Sequence, residues 1–488
     1  MAVRNPCPQP VEYQATTNQC CAFSPWVIGA SAPLSGTPLG RHWMTGEPVC
    51  CDTLTWFMEG LIANPSAFVL SLPGKGKSTL IRKMFIGAVA QGHTPIVAGD
   101  MKGEYVTITQ ALGGQVLQLG VKGTHLNPLG AGSLGETLPL LEQHRDELEE
   151  KGLDHLITET EELVHHRQVT MVCALVELIR EAPVHDYEVA LVAAALRDLR
   201  HSGKFSFVNP PLLKDLREEI ENGEKRLAEA VFPAGRESYA EAITPLMRSL
   251  FALLDGPLGQ VFAGHTTTRL DLSSPALCID VSKISRGDKK LKAAVMLSCW
   301  SDAYGAMEAA HLLAAAGLAP QRYFEAILDE LWQVLGAGAG MVNRIDELTR
   351  LNRSDGTALL MITHTGRDLE SLPNEMDVKI AKGFIERAGM VICGGLPAGE
   401  LERLSDVMQF TPAEAQVITS WSAGVPIRAE GAGEVVNQGR GNFMIKVSKD
   451  GTPGIPLHTV LTPIEEELRL HDTNQAFDEL AERLHHLT

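Results

Sequence analysis

Ser71-Leu72-Pro73-Gly74-Lys75-Gly76-Lys77-Ser78-Thr79 decides the reading of this chain. The apolar run Ala67-Phe68-Val69-Leu70 leads into it, and a helical stretch from Ser78 to about Gln91 leaves it. Strand, glycine loop and helix form the context that a phosphate-binding loop requires. Gly74 and Gly76 let backbone N–H groups converge on phosphate oxygens, where side chains would obstruct. Lys77 is the cation for the β- and γ-phosphates, and the Ser78 hydroxyl is a candidate ligand for Mg²⁺. The N-terminus of the helix adds its partial positive charge. Pro73, Gly74, Lys75, Gly76, Lys77, Ser78 and Thr79 are therefore the candidate ATP-binding residues. The full pattern has glycine at the first position, where this chain has Ser71; a chance Gly-Lys-Ser turn is the alternative.

A phosphate loop needs a second strand that ends in a carboxylate. Phe324-Glu325-Ala326-Ile327-Leu328-Asp329-Glu330 supplies one. Asp329 is the candidate metal residue. Glu330 is the candidate general base, orienting and deprotonating the attacking water. The competing reading is a pair of carboxylates capping the next helix. A further strand, Leu359-Leu360-Met361-Ile362, leads to Thr363-His364-Thr365. His364 stands where a residue sensing the γ-phosphate is expected; a satisfied structural histidine is the plainer alternative.

Around these segments the texture is α/β. Short apolar runs at 67–70, 95–98, 116–119, 277–281, 326–328, 358–362 and 390–393 each lie beside a helical stretch or a turn. This pattern predicts a mostly parallel sheet. Two late strands are expected at 442–447 and 458–461. Between the runs at 116–119 and 277–281, residues 135–254 read as helical, with Asp186 as an N-cap followed by Val189, Val192, Leu196 and Leu199. The expected organisation is an irregular lead-in with at most one hairpin (1–55), a RecA-like core (56–134 and 255–462), a helical insertion (135–254) and a loosely docked helical tail (463–488).

The 488 residues exceed what one compact core takes up. The formal charge of −18 rules out nucleic-acid binding through the overall field. The excess of acid is concentrated between Gly135 and Leu250, with 23 acidic against 13 basic residues. One basic cluster, Lys283, Arg286, Lys289, Lys290 and Lys292, offers a local contact for DNA or a solvated loop. Nine cysteines and no leading apolar run suggest a reduced, cytoplasmic protein. The adjacent pairs Cys20–Cys21 and Cys50–Cys51 lack the spacing that zinc sites favour. No stretch is long and apolar enough for a membrane span. The best candidate, Ala293–Leu318, is interrupted by Asp302, Glu308 and His311 and reads as a buried helix pair.

Several short motifs, in order, resemble one family. Asp100-Met101-Lys102-Gly103-Glu104-Tyr105 after the second strand, Leu126-Asn127-Pro128-Leu129 after the third, Gly256–Phe262, Asp329-Glu330-Leu331-Trp332 and Thr363-His364 are similar to motifs of the conjugative type IV secretion ATPases. These form the TraC-like group within the FtsK/HerA superfamily. The resemblance covers roughly residues 55–460. It implies a RecA-like P-loop fold, a hexameric ring, and ATP hydrolysis with Mg²⁺ coupled to pilus assembly or substrate transfer. It also implies secretion machinery at the inner face of the cell membrane as partner. An arginine from a neighbouring subunit is expected at the γ-phosphate, with Arg350 and Arg353 as candidates and Arg440 as a third. His364 replaces the glutamine usual in that family, and the large N-terminal domain of longer members is missing. A DNA pump or coupling protein, a nucleotide-binding scaffold without turnover, and a small-molecule kinase are the competing readings.

Overall fold

The computed structural model describes residues 33–471, apart from 122, 224–226, 228–235, 285–287, 336–341, 343–345, 347–355, 373, 424–438 and 448–451. Among these residues eleven strands form one sheet. They are β1 (Pro38–His42), β2 (Pro48–Cys50), β3 (Ser66–Leu70), β4 (Thr94–Asp100), β5 (Gln115–Gln118), β6 (Leu277–Asp280), β7 (Phe324–Leu328), β8 (Thr357–Thr363), β9 (Met390–Cys393), β10 (Asn442–Lys446) and β11 (Ile455–Thr459). Their order is β2-β1-β11-β10-β9-β3-β8-β7-β4-β6-β5. From β9 to β5 every pairing is parallel; from β9 to β2 every pairing is antiparallel.

The central strands are buried along their whole length, which is why they read as unbroken apolar runs rather than as alternation. The two-residue period still divides them. Phe68, Leu70, Ala326, Leu328, Leu359 and Met361 face one apolar cluster. Ala67, Val69, Ile327, Leu360 and Ile362 face the other. Burial of apolar area on both faces holds the central sheet in its layer.

Glu325 breaks this pattern inside β7. It is buried, and burial followed by the nearby Asp52 pushes its carboxyl up to about 8. A carboxyl raised above its ordinary value favours the fold at low pH, and that contribution is lost as pH rises from about 4.5 to about 8. Glu325→Gln is therefore expected to gain stability over wild type progressively across that window, by a few kcal/mol at its top, on the order of one kcal/mol per unit of displacement. Denaturant melts at pH 5 and pH 8.5 check it; a constant gap would show an ordinary carboxyl.

Helices fill the segment between β5 and β6, from Gly132–Gln143 through His155–Arg180 to Arg236–Asp255, with no strand among its described residues. The Asp186 helix is capped one residue earlier than the sequence suggests. His185 is the extended cap residue, and its N–H donates to the Glu188 carboxylate at 3.0 Å.

The stretch read as a helix pair is one helix, Lys289–Ala315, capped by the Asp288 carboxylate on the N–H of Leu291. Two of the three polar residues that interrupt its apolar run have partners elsewhere in the fold. Glu308 pairs with Arg167 at 2.7 Å, and His311 lies 3.2 Å from the Thr357 hydroxyl. No described helix is long and apolar enough to cross a membrane.

Two segments near the limits of the described residues are more regular than their composition suggests. β1 and β2 form a hairpin that extends the sheet, with Leu39, Val49, Cys51 and Trp56 in the core. The described start of the tail is held by buried charge rather than docked loosely. Glu465 bonds Lys83 at 2.9 Å and His471 at 3.0 Å, and Arg82 donates to the Leu470 carbonyl at 3.2 Å. Cys7, Cys20 and Cys21 lie outside the described residues.

Candidate active site

β3 and β7 both lie against β8, in parallel. The loops that follow all three therefore emerge at one edge of the sheet, the edge where open α/β sheets place ligands. The loop after β3 turns through Gly74 and Gly76, with φ of +76° and +94°. At Gly74 a Cβ would have open space, so the positive φ alone calls for glycine. The helix Lys77–Ala90 starts at Gly76 with no side-chain cap, leaving its first N–H groups for a ligand.

Lys77 is buried. Its ammonium donates to the Thr363 carbonyl at 3.1 Å and to His364 Nδ1 at 2.9 Å. Burial lowers its pKa, against the opposing pull of Asp329 and Glu330. Lys75 turns away from the loop, donating to the Ala423 carbonyl at 2.9 Å, while its own carbonyl accepts the Gly441 N–H at 2.8 Å.

Ser71 is accommodated by an exchange of bulk. A Cβ on Gly394, just past β9, would lie 2.3 Å from the Ser71 hydroxyl and 2.7 Å from its Cβ. The side chain that the usual glycine lacks thus occupies space left by a glycine on the neighbouring strand. Gly394→Ala is expected to destabilise the fold by about 1–3 kcal/mol, and Ser71→Gly in the same chain to restore most of that loss. Additive effects in a double-mutant cycle would refute the exchange.

Asp329 and Glu330 follow β7 directly. Asp329 accepts the Glu330 N–H at 2.9 Å and the Tyr105 hydroxyl at 3.3 Å; burial raises its pKa, partly offset by Lys77. Glu330 has φ +54°, in the left-handed region that costs a non-glycine residue about 1 kcal/mol or more. Its carboxylate is held from three sides: Lys102 Nζ at 2.5 Å, the Trp332 indole N–H at 2.6 Å and His364 Nε2 at 3.4 Å. Burial would raise its pKa, but His364 and Lys102 outweigh that and hold it well below the usual carboxylate range.

His364 sits between the two halves. Lysine has no acceptor, so Nδ1 must accept from Lys77, which leaves Nε2–H directed at Glu330. Asp368 fixes this corner by accepting from the Thr363 hydroxyl and from the N–H groups of His364 and Thr365, at 3.1, 3.2 and 2.9 Å.

The segment after β4 supports the same corner. The Asp100 carboxylate takes the N–H groups of Lys102, Gly103 and Tyr105, at 3.1, 2.8 and 2.7 Å. The turn so formed sends Lys102 to Glu330, Glu104 to Arg82 at 3.2 Å on the helix after the phosphate loop, and Tyr105 to Asp329. The sequence marks this motif but gives no work to Lys102, Tyr105 or Trp332; a lysine in a tight turn at a strand end beside the acidic strand was the available signal.

Arg350 and Arg353 lie outside the described residues. Arg440 is exposed and adjoins the phosphate loop of its own chain, since Gly441 bonds Lys75 and a Cβ on Gly76 would lie 3.8 Å from Arg440 Cγ. In the basic cluster, Lys290 is engaged with Glu181 at 2.8 Å and the Ile179 carbonyl at 3.2 Å, and Arg286 is outside the described residues.

No protein-family model matches the chain. An uncharacterized protein of Bacillus anthracis is 23% identical over 400 residues, which are 78% of this chain and 60% of that protein. The chain thus spans about 60% of the length of its curated relative. Among solved structures, VirB4 of Thermoanaerobacter pseudethanolicus is 18% identical with a TM-score of 0.62, covering 90% of this chain and all of that one. The bacterial conjugative coupling protein TrwB, in a trigonal form with sulphate, is 12% identical with a TM-score of 0.52, covering 89% of this chain and 96% of that one. The sheet order, the loop after β3 and these two likenesses together give the chain a RecA-like P-loop fold, shared with VirB4 and TrwB.

Proposed function

We propose that the chain is an ATP-hydrolysing motor of a conjugative or type IV secretion system, coupling hydrolysis to pilus assembly or to transfer of DNA or protein. One observation carries the ATPase reading: a single imidazole, His364, touches Lys77 on one side and Glu330 on the other. The phosphate cation and the candidate base therefore face one cleft, at the sheet edge where three loops meet. The fold likeness to VirB4, a type IV secretion ATPase, supports the choice of system.

In this reading the backbone of Pro73–Thr79 cradles the phosphates and Lys77 neutralises them. The available donors fit Mg²⁺: the Ser78 hydroxyl and the Asp329 carboxylate are hard oxygens, and Mg²⁺ prefers few protein ligands of that kind. Bound there, Mg²⁺ would supply charge neutralisation at the β- and γ-oxygens. Tyr105 orients Asp329. Glu330 takes the proton of the attacking water, and His364 senses the γ-phosphate. The subunits assemble as a homo-hexamer, with Arg350 or Arg353 reaching the neighbouring site. Residues 56–134 and 255–462 serve as the motor core, and 135–254 as an inserted domain. The protein works in the cytoplasm against the machinery at the inner face of the membrane.

ATP turnover with and without single- and double-stranded DNA, alongside a mass measurement of the assembly, tests this. Hydrolysis by a six-copy assembly without DNA stimulation is the expected result. Strong DNA stimulation would favour a DNA pump. Equal, negligible rates in wild type and Glu330→Gln would favour a nucleotide-binding scaffold.

A further inference from the structure

Every polar group of Glu330 but one is taken up within the turn 329–333. Its N–H donates to Asp329 Oδ1 at 2.9 Å, its carbonyl accepts the Gln333 N–H at 2.9 Å, and its Oε2 accepts the Trp332 indole N–H at 2.6 Å. The remaining oxygen, Oε1, is buried and has no hydrogen bond among the described residues. Lys102 Nζ and His364 Nε2 stand beside it, at 2.5 and 3.4 Å, as charged and polar neighbours that leave it lone-pair capacity for a water.

The two oxygens are therefore unequal. The last torsion of a glutamate is broad and roughly two-fold, so an unrestrained carboxylate presents either oxygen. A donor on Oε2 removes that freedom, and a hydrogen bond to a charged acceptor is among the stronger kinds. Tryptophan suits this task. Its indole N–H donates only, so it holds Oε2 without competing for a proton. Its ring is half-buried, and the adjoining Leu331 anchors the turn in the apolar core. The Lys102 side chain, 48% exposed on a flexible stem, is a poor fixed support by comparison.

With Glu330 read as the residue that takes the water proton, we propose that Trp332 is its positioning residue: the indole pins Oε2 and so assigns proton acceptance to Oε1, the oxygen nearer His364. In the step this serves, a water O–H bond breaks and the proton passes to Oε1. The water oxygen keeps the electron pair and attacks the γ-phosphorus, displacing ADP.

The test is steady-state ATP hydrolysis at pH 8 by the full chain as wild type, Trp332→Phe and Trp332→His, with a thermal melt of each. Phenylalanine keeps most of the ring bulk but has no donor. Histidine is smaller, yet its Nε2 stands at the same ring position as the indole nitrogen, and at pH 8 the ring is neutral and can donate there. Trp332→Phe is expected to lower kcat about ten-fold, equivalent to about 1.4 kcal/mol, while KM moves by less than about two-fold. Trp332→His is expected to recover most of that loss. A residue that only fills space gives the opposite order, with the phenylalanine variant nearer wild type. That order, or an unchanged kcat in Trp332→Phe, overturns the proposal. Trp332→Leu, close to histidine in volume and without a donor, replaces Trp332→Phe in the comparison should the latter not fold. In single turnovers of Glu330→Gln, adding Trp332→Phe should cost nothing further, because no base is left to position; an equal loss there would show that the indole acts independently of Glu330. The ATPase reading is tested separately by nucleotide titration of wild type against Lys77→Ala and by turnover of Glu330→Gln. If ATP binding ignores Lys77, or Glu330→Gln hydrolyses at the wild-type rate, that reading fails and the positioning role falls with it. If both variants behave as expected and only the Trp332 variants do not, the positioning role alone is refuted.

Discussion

Lys77→Ala is expected to weaken ATP binding by about 100-fold or more, on the order of 3 kcal/mol. The basis is the burial of this ammonium at the mouth of the helix Lys77–Ala90, beneath the loop of Gly74 and Gly76. Its partners here are one carbonyl and one imidazole, both neutral acceptors that a phosphate oxygen outcompetes. Removing the amine also strips Asp329 and Glu330 of a nearby positive charge, so two carboxylates would face a triphosphate with less compensation. Titration with a fluorescent ATP analogue checks this. An unchanged affinity would mean that the loop does not hold the triphosphate.

Glu330→Gln is expected to leave ATP affinity within a few-fold of wild type and to lower kcat by about 10²–10⁴, the range that general-base removal spans. The amide fills the same volume and can still take the Trp332 indole N–H, so the left-handed turn at this residue should survive. What it loses is the capacity to accept a proton. Single-turnover hydrolysis with prebound ATP separates the two effects, because trapped ATP and slow release of phosphate are then read apart. Wild-type hydrolysis by this variant would move the base to another residue.

Much of the fold is legible because a parallel sheet covered on both faces needs continuous apolar strands. The runs at 67–70, 326–328 and 358–362 are such strands, and each is found in place. β1 and β2 are less legible: Pro38, Gly40 and Pro48 obscure them, and they become strands by pairing with each other and with β11. β11 begins at Ile455, ahead of the expected His458, because Pro456 hides a strand that lies beside β10. The helix Lys289–Ala315 is misread as two because polar residues in a long apolar stretch look like breaks until their partners are known.

At the site, Lys77, Asp329, Glu330 and His364 each stand at the end of a recognisable run. Lys102, Tyr105 and Trp332 do not announce themselves. The work of Lys102 and Tyr105 depends on the register of β4 against β7, Thr94 opposite Phe324 through Val97 opposite Ile327, which brings the turn after one strand against the acidic end of the other. Register is a property of the pair and is written in neither strand alone.

The placement of β3 also governs when during synthesis the cleft can exist. Its two neighbours are β8 and β9, and the carbonyl of Lys75 is met by the N–H of Gly441. A nascent chain that has emerged only as far as the helical segment before β6 holds the phosphate loop on a strand with neither partner. Pairing across so much intervening chain is slow, because loop closure precedes its reward. Assembly of the surroundings of the loop after β3 is thus a late event in synthesis, and partly made chains expose β3 as an unpaired apolar edge.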